Sequence, residues 1–172
     1  RTGSLAGDYG FEVHGDVGSR NYGAGVGVLR SDGRGRIRKS RRVANFAGAT
    51  VEDTAVGGYS IAPDGTGLLD LTVTPRAGAR YRSKFAVVMV SRKEIFAVGL
   101  DPGFSLLGTG LWQRHACFSN RDIAGPWAGW AEGVVTTGAL AGPVASIGTF
   151  TANHRGRVRS SRLASVGGTL VD

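Results

Sequence analysis

Leu69, Leu71 and Val73 alternate with Asp70, Thr72 and Thr74, the period of two that a half-buried antiparallel strand imposes. Tyr9, Phe11 and Val13 alternate in the same way with Gly10, Glu12 and His14, which predicts a strand over Tyr9–Val13 with one face in a core. Phe85–Val90 and Ile95–Leu100 are apolar on both faces, and the polar run Ser91-Arg92-Lys93-Glu94 between them reads as a hairpin turn. Ala44–Val51, Val56–Ile61 and Ser105–Arg114 are further strand candidates, punctuated by turns at Pro63-Asp64-Gly65 and Asp101-Pro102-Gly103. None of these segments carries a helical stripe. About eight short strands joined by turns predict an all-β antiparallel barrel or sandwich.

The pattern then restarts. Gly27-Val28-Leu29-Arg30-Ser31-Asp32-Gly33-Arg34-Gly35-Arg36-Ile37-Arg38 returns as Gly148-Thr149-Phe150-Thr151-Ala152-Asn153-His154-Arg155-Gly156-Arg157-Val158-Arg159, each copy a strand, a tight turn and an arginine-bearing strand. Leu5-Ala6-Gly7-Asp8-Tyr9 is likewise echoed by Ile123-Ala124-Gly125-Pro126-Trp127. The spacing is 118 residues at Gly7 and Gly125 and 121 at Gly27 and Gly148, so the second copy has three extra residues in the intervening loop. We therefore expect a first barrel over residues 1–115, a linker over 116–121, and the opening strands of a second, incomplete barrel over 122–172. An unfinished barrel exposes strand edges. A longer natural chain, another copy, or packing of the extra strands on the first barrel are the three ways to complete it.

Composition narrows the picture only a little. Glycine supplies 29 of 172 residues without a collagen period, which suits many turns and close strand packing. The net charge of +8 and a pI near 10.5 favour anionic partners. No run approaches the roughly 18 apolar residues of a membrane-spanning helix, which predicts a soluble chain without a transmembrane segment. The single cysteine, Cys117, excludes an internal disulfide and a cysteine-based zinc site. No signal segment opens the sequence; the compartment stays open, with a secreted or periplasmic one favoured.

Candidate chemistry is sparse. Seven basic residues fall between Arg30 and Arg42, and Arg155, Arg157, Arg159 and Arg162 sit in the second copy. On a strand Arg36 and Arg38 share a face, as do Arg157 and Arg159, so each hairpin presents guanidinium groups able to grip phosphate, sulfate or carboxylate; the alternative is a solvated outer surface that discourages edge aggregation. Glu12, His14 and Asp16 lie on one strand face, but Trp130, Glu132 and Val134 stand at the matching places of the repeat, which argues against a shared metal site. Gly23-Ala24-Gly25-Val26-Gly27 lacks the helix a phosphate loop needs, and Cys117, His115 and His154 have no partner pattern. No catalytic residue, metal or cofactor is nominated. Tyr9, Phe11, Leu29, Phe85, Trp112 and Trp127 are expected to fill the barrel interior or to line a ligand cavity in it.

Gly7-Asp8-Tyr9 and Gly125-Pro126-Trp127, each opening a first strand, resemble the Gly-x-Trp start of calycin barrels, the group of lipocalins and avidins. That resemblance implies an eight-stranded up-and-down barrel whose first aromatic ring plugs one end under a basic residue from the last strand, here Arg114. Lys93–Gly103 followed by Gly108-Thr109-Gly110 also looks like tandem bacterial β-barrel proteins of uncharacterised function. The implied function is a non-catalytic binding module for a small apolar ligand. A structural or assembly protein, with its partial unit completed by another copy or another polypeptide and its basic hairpins on an anionic polymer, is one alternative. An isomerase similar to the allene oxide cyclases is the other, and it would need a carboxylate facing a cavity; Asp70 and Glu94 fall at polar or turn positions.

Overall fold

In the computed structural model, residues 5–18, 22–114, 118–135, 142–166 and 168–171 are described, Leu170 and Val171 by their backbone alone. They form twelve strands: β1 (Ala6–Asp16), β2 (Tyr22–Asp32), β3 (Arg36–Phe46), β4 (Ala49–Ile61), β5 (Thr66–Pro75), β6 (Tyr81–Ser91), β7 (Glu94–Gly99), β8 (Ser105–Trp112), β9 (Gly125–Val135), β10 (Gly142–Ala152), β11 (Val158–Val166) and β12 (Thr169–Val171). β1 to β8 close into an antiparallel barrel in sequence order, β8 pairing back on β1, and β9 to β12 form a separate antiparallel sheet in the order β12-β11-β10-β9. The chain divides into two compact units, residues 1–114 and 115–172. The second is a partial copy of the first. Among the described residues no helix is long and apolar enough to cross a membrane.

Alternation places the core. Leu69, Leu71 and Val73 point inward with Tyr9, Val13, Leu29, Ile37, Phe85, Val87 and Ile95, all buried in one cluster, while Leu68, Asp70 and Thr72 face out. An eight-stranded barrel has an interior just wide enough for side chains to fill it. Space for the largest comes from glycine: a Cβ on Gly27 would lie 2.8 Å from Phe11 Cζ and would also meet the Arg41 carbonyl. One end is sealed by Leu5 and Tyr9, both almost fully buried. The Leu5 carbonyl accepts hydrogen bonds from the Tyr59 and Ser31 hydroxyls, and the Tyr9 hydroxyl donates to the Arg92 carbonyl at 2.9 Å. Burial raises the pKa of Tyr9, so that phenol stays protonated. Arg114 lies exposed beyond β8. The polar end of the first aromatic ring is thus held by the main chain of the β6–β7 turn.

The chain departs from its pattern at two places. Ala44–Val51 is not one strand: Ala47 and Gly48 adopt φ of +52° and +88° in a two-residue hairpin between β3 and β4, with Asn45 Oδ1 accepting from the Gly48 amide at 2.9 Å. Two consecutive left-handed residues match the twist of paired strands. A β-bulge also interrupts β3 between Ile37 and Ser40, shifting its register against both β2 and β4. Ile37 and Ser40 are therefore both buried although three residues apart.

The second unit keeps the first unit's registers. Tyr9 pairs with Leu29, and their counterparts Trp127 and Phe150 pair with each other; Gly27 pairs with Arg42, and Gly148 with Arg162. Gly27 and Gly148 are 121 apart but Arg42 and Arg162 only 120, because the β10–β11 ladder runs without the bulge.

Candidate functional site

The two arginine hairpins use one turn chemistry. Asp32 Oδ1 accepts from the amides of Arg34 at 2.7 Å and Arg36 at 3.1 Å; Asn153 Oδ1 accepts from those of Arg155 at 2.9 Å and Arg157 at 3.0 Å. Gly35 and Gly156 both take positive φ, whereas Gly33 does so and its counterpart His154 does not. The Arg34 amide, more than the nearby arginine charges, holds the Asp32 carboxyl below its ordinary pKa. Asparagine in the second copy keeps the acceptor and loses the charge.

Arg36 and Arg38 flank the inward Ile37 and are exposed, as are Arg157 and Arg159. No ion pair among the described residues engages any of the four. Arg30 contacts Asp8 at 3.5 Å, and the second copy has Thr151 and Pro126 at these places, so each hairpin keeps an excess of positive charge. Such an array of forked donors suits phosphate, sulfate or carboxylate oxygens.

Arg42 belongs to the same basic run in sequence but not in space. The bulge turns it inward, where its Nε donates to both oxygens of its cross-strand partner Asp53 at 3.2 Å and its Nη2 to Asp53 Oδ2 at 2.6 Å. The side chains are only 12% and 2% exposed. Nη2 also donates to the Tyr81 hydroxyl at 2.7 Å, and the guanidinium lies 5.4 Å from the Phe46 ring centroid. Burial by itself would lower the pKa of Arg42; the Asp53 and Tyr81 hydrogen bonds and charges outweigh it and raise that pKa. With Ser83 donating to Asp101 at 2.6 Å, this makes the barrel end opposite Leu5 polar.

The expected interior residues separate into three groups. Tyr9, Leu29 and Phe85 are in the core. Phe11 packs against it and lines two small cavities of about 60 and 40 Å³, the first almost purely apolar, the second bounded by Arg42 and Asp53. Trp112 pairs with Tyr9 but is the last residue of β8, and at the rim it stays 38% exposed. Trp127 stacks on Phe150 at 6.1 Å and donates from its indole to the Ile123 carbonyl, yet is 44% exposed.

Glu12, His14 and Asp16 lie along the outer face of β1, His14 stacking on Tyr22, and no group of three His, Cys, Asp or Glu among the described residues is arranged to hold a metal. Cys117 and His115 fall outside the described residues; His154 sits at the tip of its hairpin. Asp70 pairs on the outside with Arg82 at 3.1 Å, and Glu94 opens β7. Among the described residues three carboxylates border cavities: Glu12 beside Phe11, Glu52 on the outer side of β4, and the buried Asp53, which the sequence pattern does not single out. Comparison with models of known protein families, with curated proteins and with solved structures gives no match.

Proposed function

We propose that the chain is a non-catalytic binding module, built on a calycin-like barrel unit and a tandem partial copy, that holds an anionic polymer on its two arginine hairpins. The observation that carries this reading is the repeated turn: Asp32 and Asn153 fix equivalent hairpins that hold Arg36, Arg38, Arg157 and Arg159 outward and free of ion pairs among the described residues. Neither hairpin interleaves aromatics with its arginines, which favours recognition of charge over stacking on bases. The test is retention on immobilised heparin. Replacing Arg36, Arg38, Arg157 and Arg159 with glutamine abolishes salt-dependent retention, and either pair alone weakens it. Unchanged retention of the fourfold variant refutes the proposal.

A small apolar guest inside the barrel is supported by the apolar lining of the cavity beside Phe11. At about 60 Å³ it is well below the roughly 150 Å³ of a cavity that takes up benzene, so such a guest requires lining side chains such as Phe11, Phe85 or Ile95 to move. The open edge of β9, paired only with β10 in the described residues, supports strand addition by another polypeptide segment. An isomerase has the least support: of the carboxylates that border cavities, Asp53 has both oxygens engaged by Arg42, Glu52 pairs with Arg76, and Glu12 is exposed on the outer face of β1.

A further inference from the structure

The outer surface of the barrel is divided. Over β2 to β4 it mixes Arg36, Arg38, Arg41 and Glu52 with the exposed Val26, Val43 and Val56, and over β5 to β8, on the opposite side of the strand order, its middle is apolar. Register aligns Leu68, Ala86, Val98 and Leu107 in one row across four neighbouring strands, and Val88 and Phe96 sit side by side in the next. Leu68, Val88, Phe96, Val98, Leu107 and Leu111 are each 46–57% exposed. Together they expose on the order of 500 Å² of apolar surface, at the top of the roughly 300–600 Å² usual for a monomer's largest patch; with a polar rim that approaches the ~800 Å² per partner of a standard interface.

We infer that this face joins two copies of the chain. Its rim mixes both signs, the Asp70–Arg82 pair and Lys84 along one side, Glu12 and Glu94 with Arg92 and Lys93 of the β6–β7 turn along the other. Two molecules of net charge +8 repel each other over most approaches, and most strongly through the arginine strands. The apolar face is where they meet without opposing like charges. A strongly acidic partner would be drawn to the opposite side of the barrel, which leaves a second copy as the occupant that the local charge balance fits. An apolar centre within a charged rim is also the anatomy of a protein interface.

Sedimentation of the full chain reads the proposal. The expected mass is twice 17.9 kDa, and Phe96→Lys with Leu107→Lys halves it while the far-ultraviolet spectrum stays that of β-structure. If that variant fails to fold, Phe96→Thr with Leu107→Thr, which retains strand propensity, weakens the dimer at least about tenfold. Trp130→Lys with Ile147→Lys, on the second unit, leaves the dimer intact. A wild-type monomer up to the solubility limit overturns the proposal, as does a folded barrel-face variant that is still dimeric, or loss of the dimer with the second-unit variant alone.

Discussion

β1 to β4 and β9 to β12 begin from one pattern and meet different fates. In the first unit Tyr9 and Ile37 are 0% and 3% exposed; their counterparts Trp127 and Val158 are 44% and 56% exposed. The local pairing is the same in both, down to the partner of each aromatic ring. What differs is β5 to β8, which close the first sheet into a barrel and have no counterpart among the described residues of the second. Burial of a strand residue is thus set by the strands that face it, not by its own alternation. The same holds for the arginines: Arg42 and Arg162 occupy one register position, but Arg42 meets a buried carboxylate and Arg162 is exposed.

The largest expected difference between the units lies at that position. Arg42→Met strands the Asp53 charge inside the barrel and costs about 3–5 kcal/mol, whereas pairing it with Asp53→Leu restores most of the stability. Arg162→Met changes stability by less than about 0.5 kcal/mol. Denaturant melts of the three variants check the contrast, and equal costs at Arg42 and Arg162 break it. Phe85→Ala follows, at about 3–5 kcal/mol for a buried aromatic, against under ~1 kcal/mol for Trp127→Ala.

How much of this is legible in the sequence depends on whether one face of a strand stays wet. Leu69, Leu71 and Val73 announce β5 because Asp70, Thr72 and Thr74 face water, and the repeated hairpin is found because its turn needs Asp or Asn followed by glycine three residues later. The Arg42–Asp53 pair is illegible to simple alternation. Counting by twos from Ile37 puts Lys39 and Arg41 inside and Arg42 outside, and only the bulge reverses this. The repeat does hold the missing signal, since the spacing drops from 121 at Ile37 and Val158 to 120 at Ala44 and Ala164. The Ala47–Gly48 turn escapes because alanine is a poor marker of left-handed backbone, and the exposure of Trp112 escapes because a pattern does not mark where the barrel ends.

Two finer tests sharpen the comparison. Deleting Lys39 gives β3 the regular spacing of β11; the barrel still folds with Arg42 inward, at a cost of at most about 2 kcal/mol, read from melting and from Asp53→Leu becoming no better tolerated than before. The smallest effect is acid loosening of one hairpin only. The folded-state pKa of Asp32 is depressed, so its contribution is complete above the ordinary aspartate value of about 3.9 and is lost as pH falls through the lower folded value. Amide resonances of Arg34 and Arg36 shift in that acid range, while those of Arg155 and Arg157, bonded to the uncharged Asn153, do not.

Amide hydrogen exchange on β1 and β9 tests the central contrast most directly. In the described residues β1 is paired on both sides and β9 on one, so nearly all β1 amides between Tyr9 and Asp16 exchange slowly, while in β9 slow and fast amides alternate, the fast ones pointing away from β10. Uniform protection along Gly125–Val135 would contradict the account, because it would mean that the second sheet is closed as the first is.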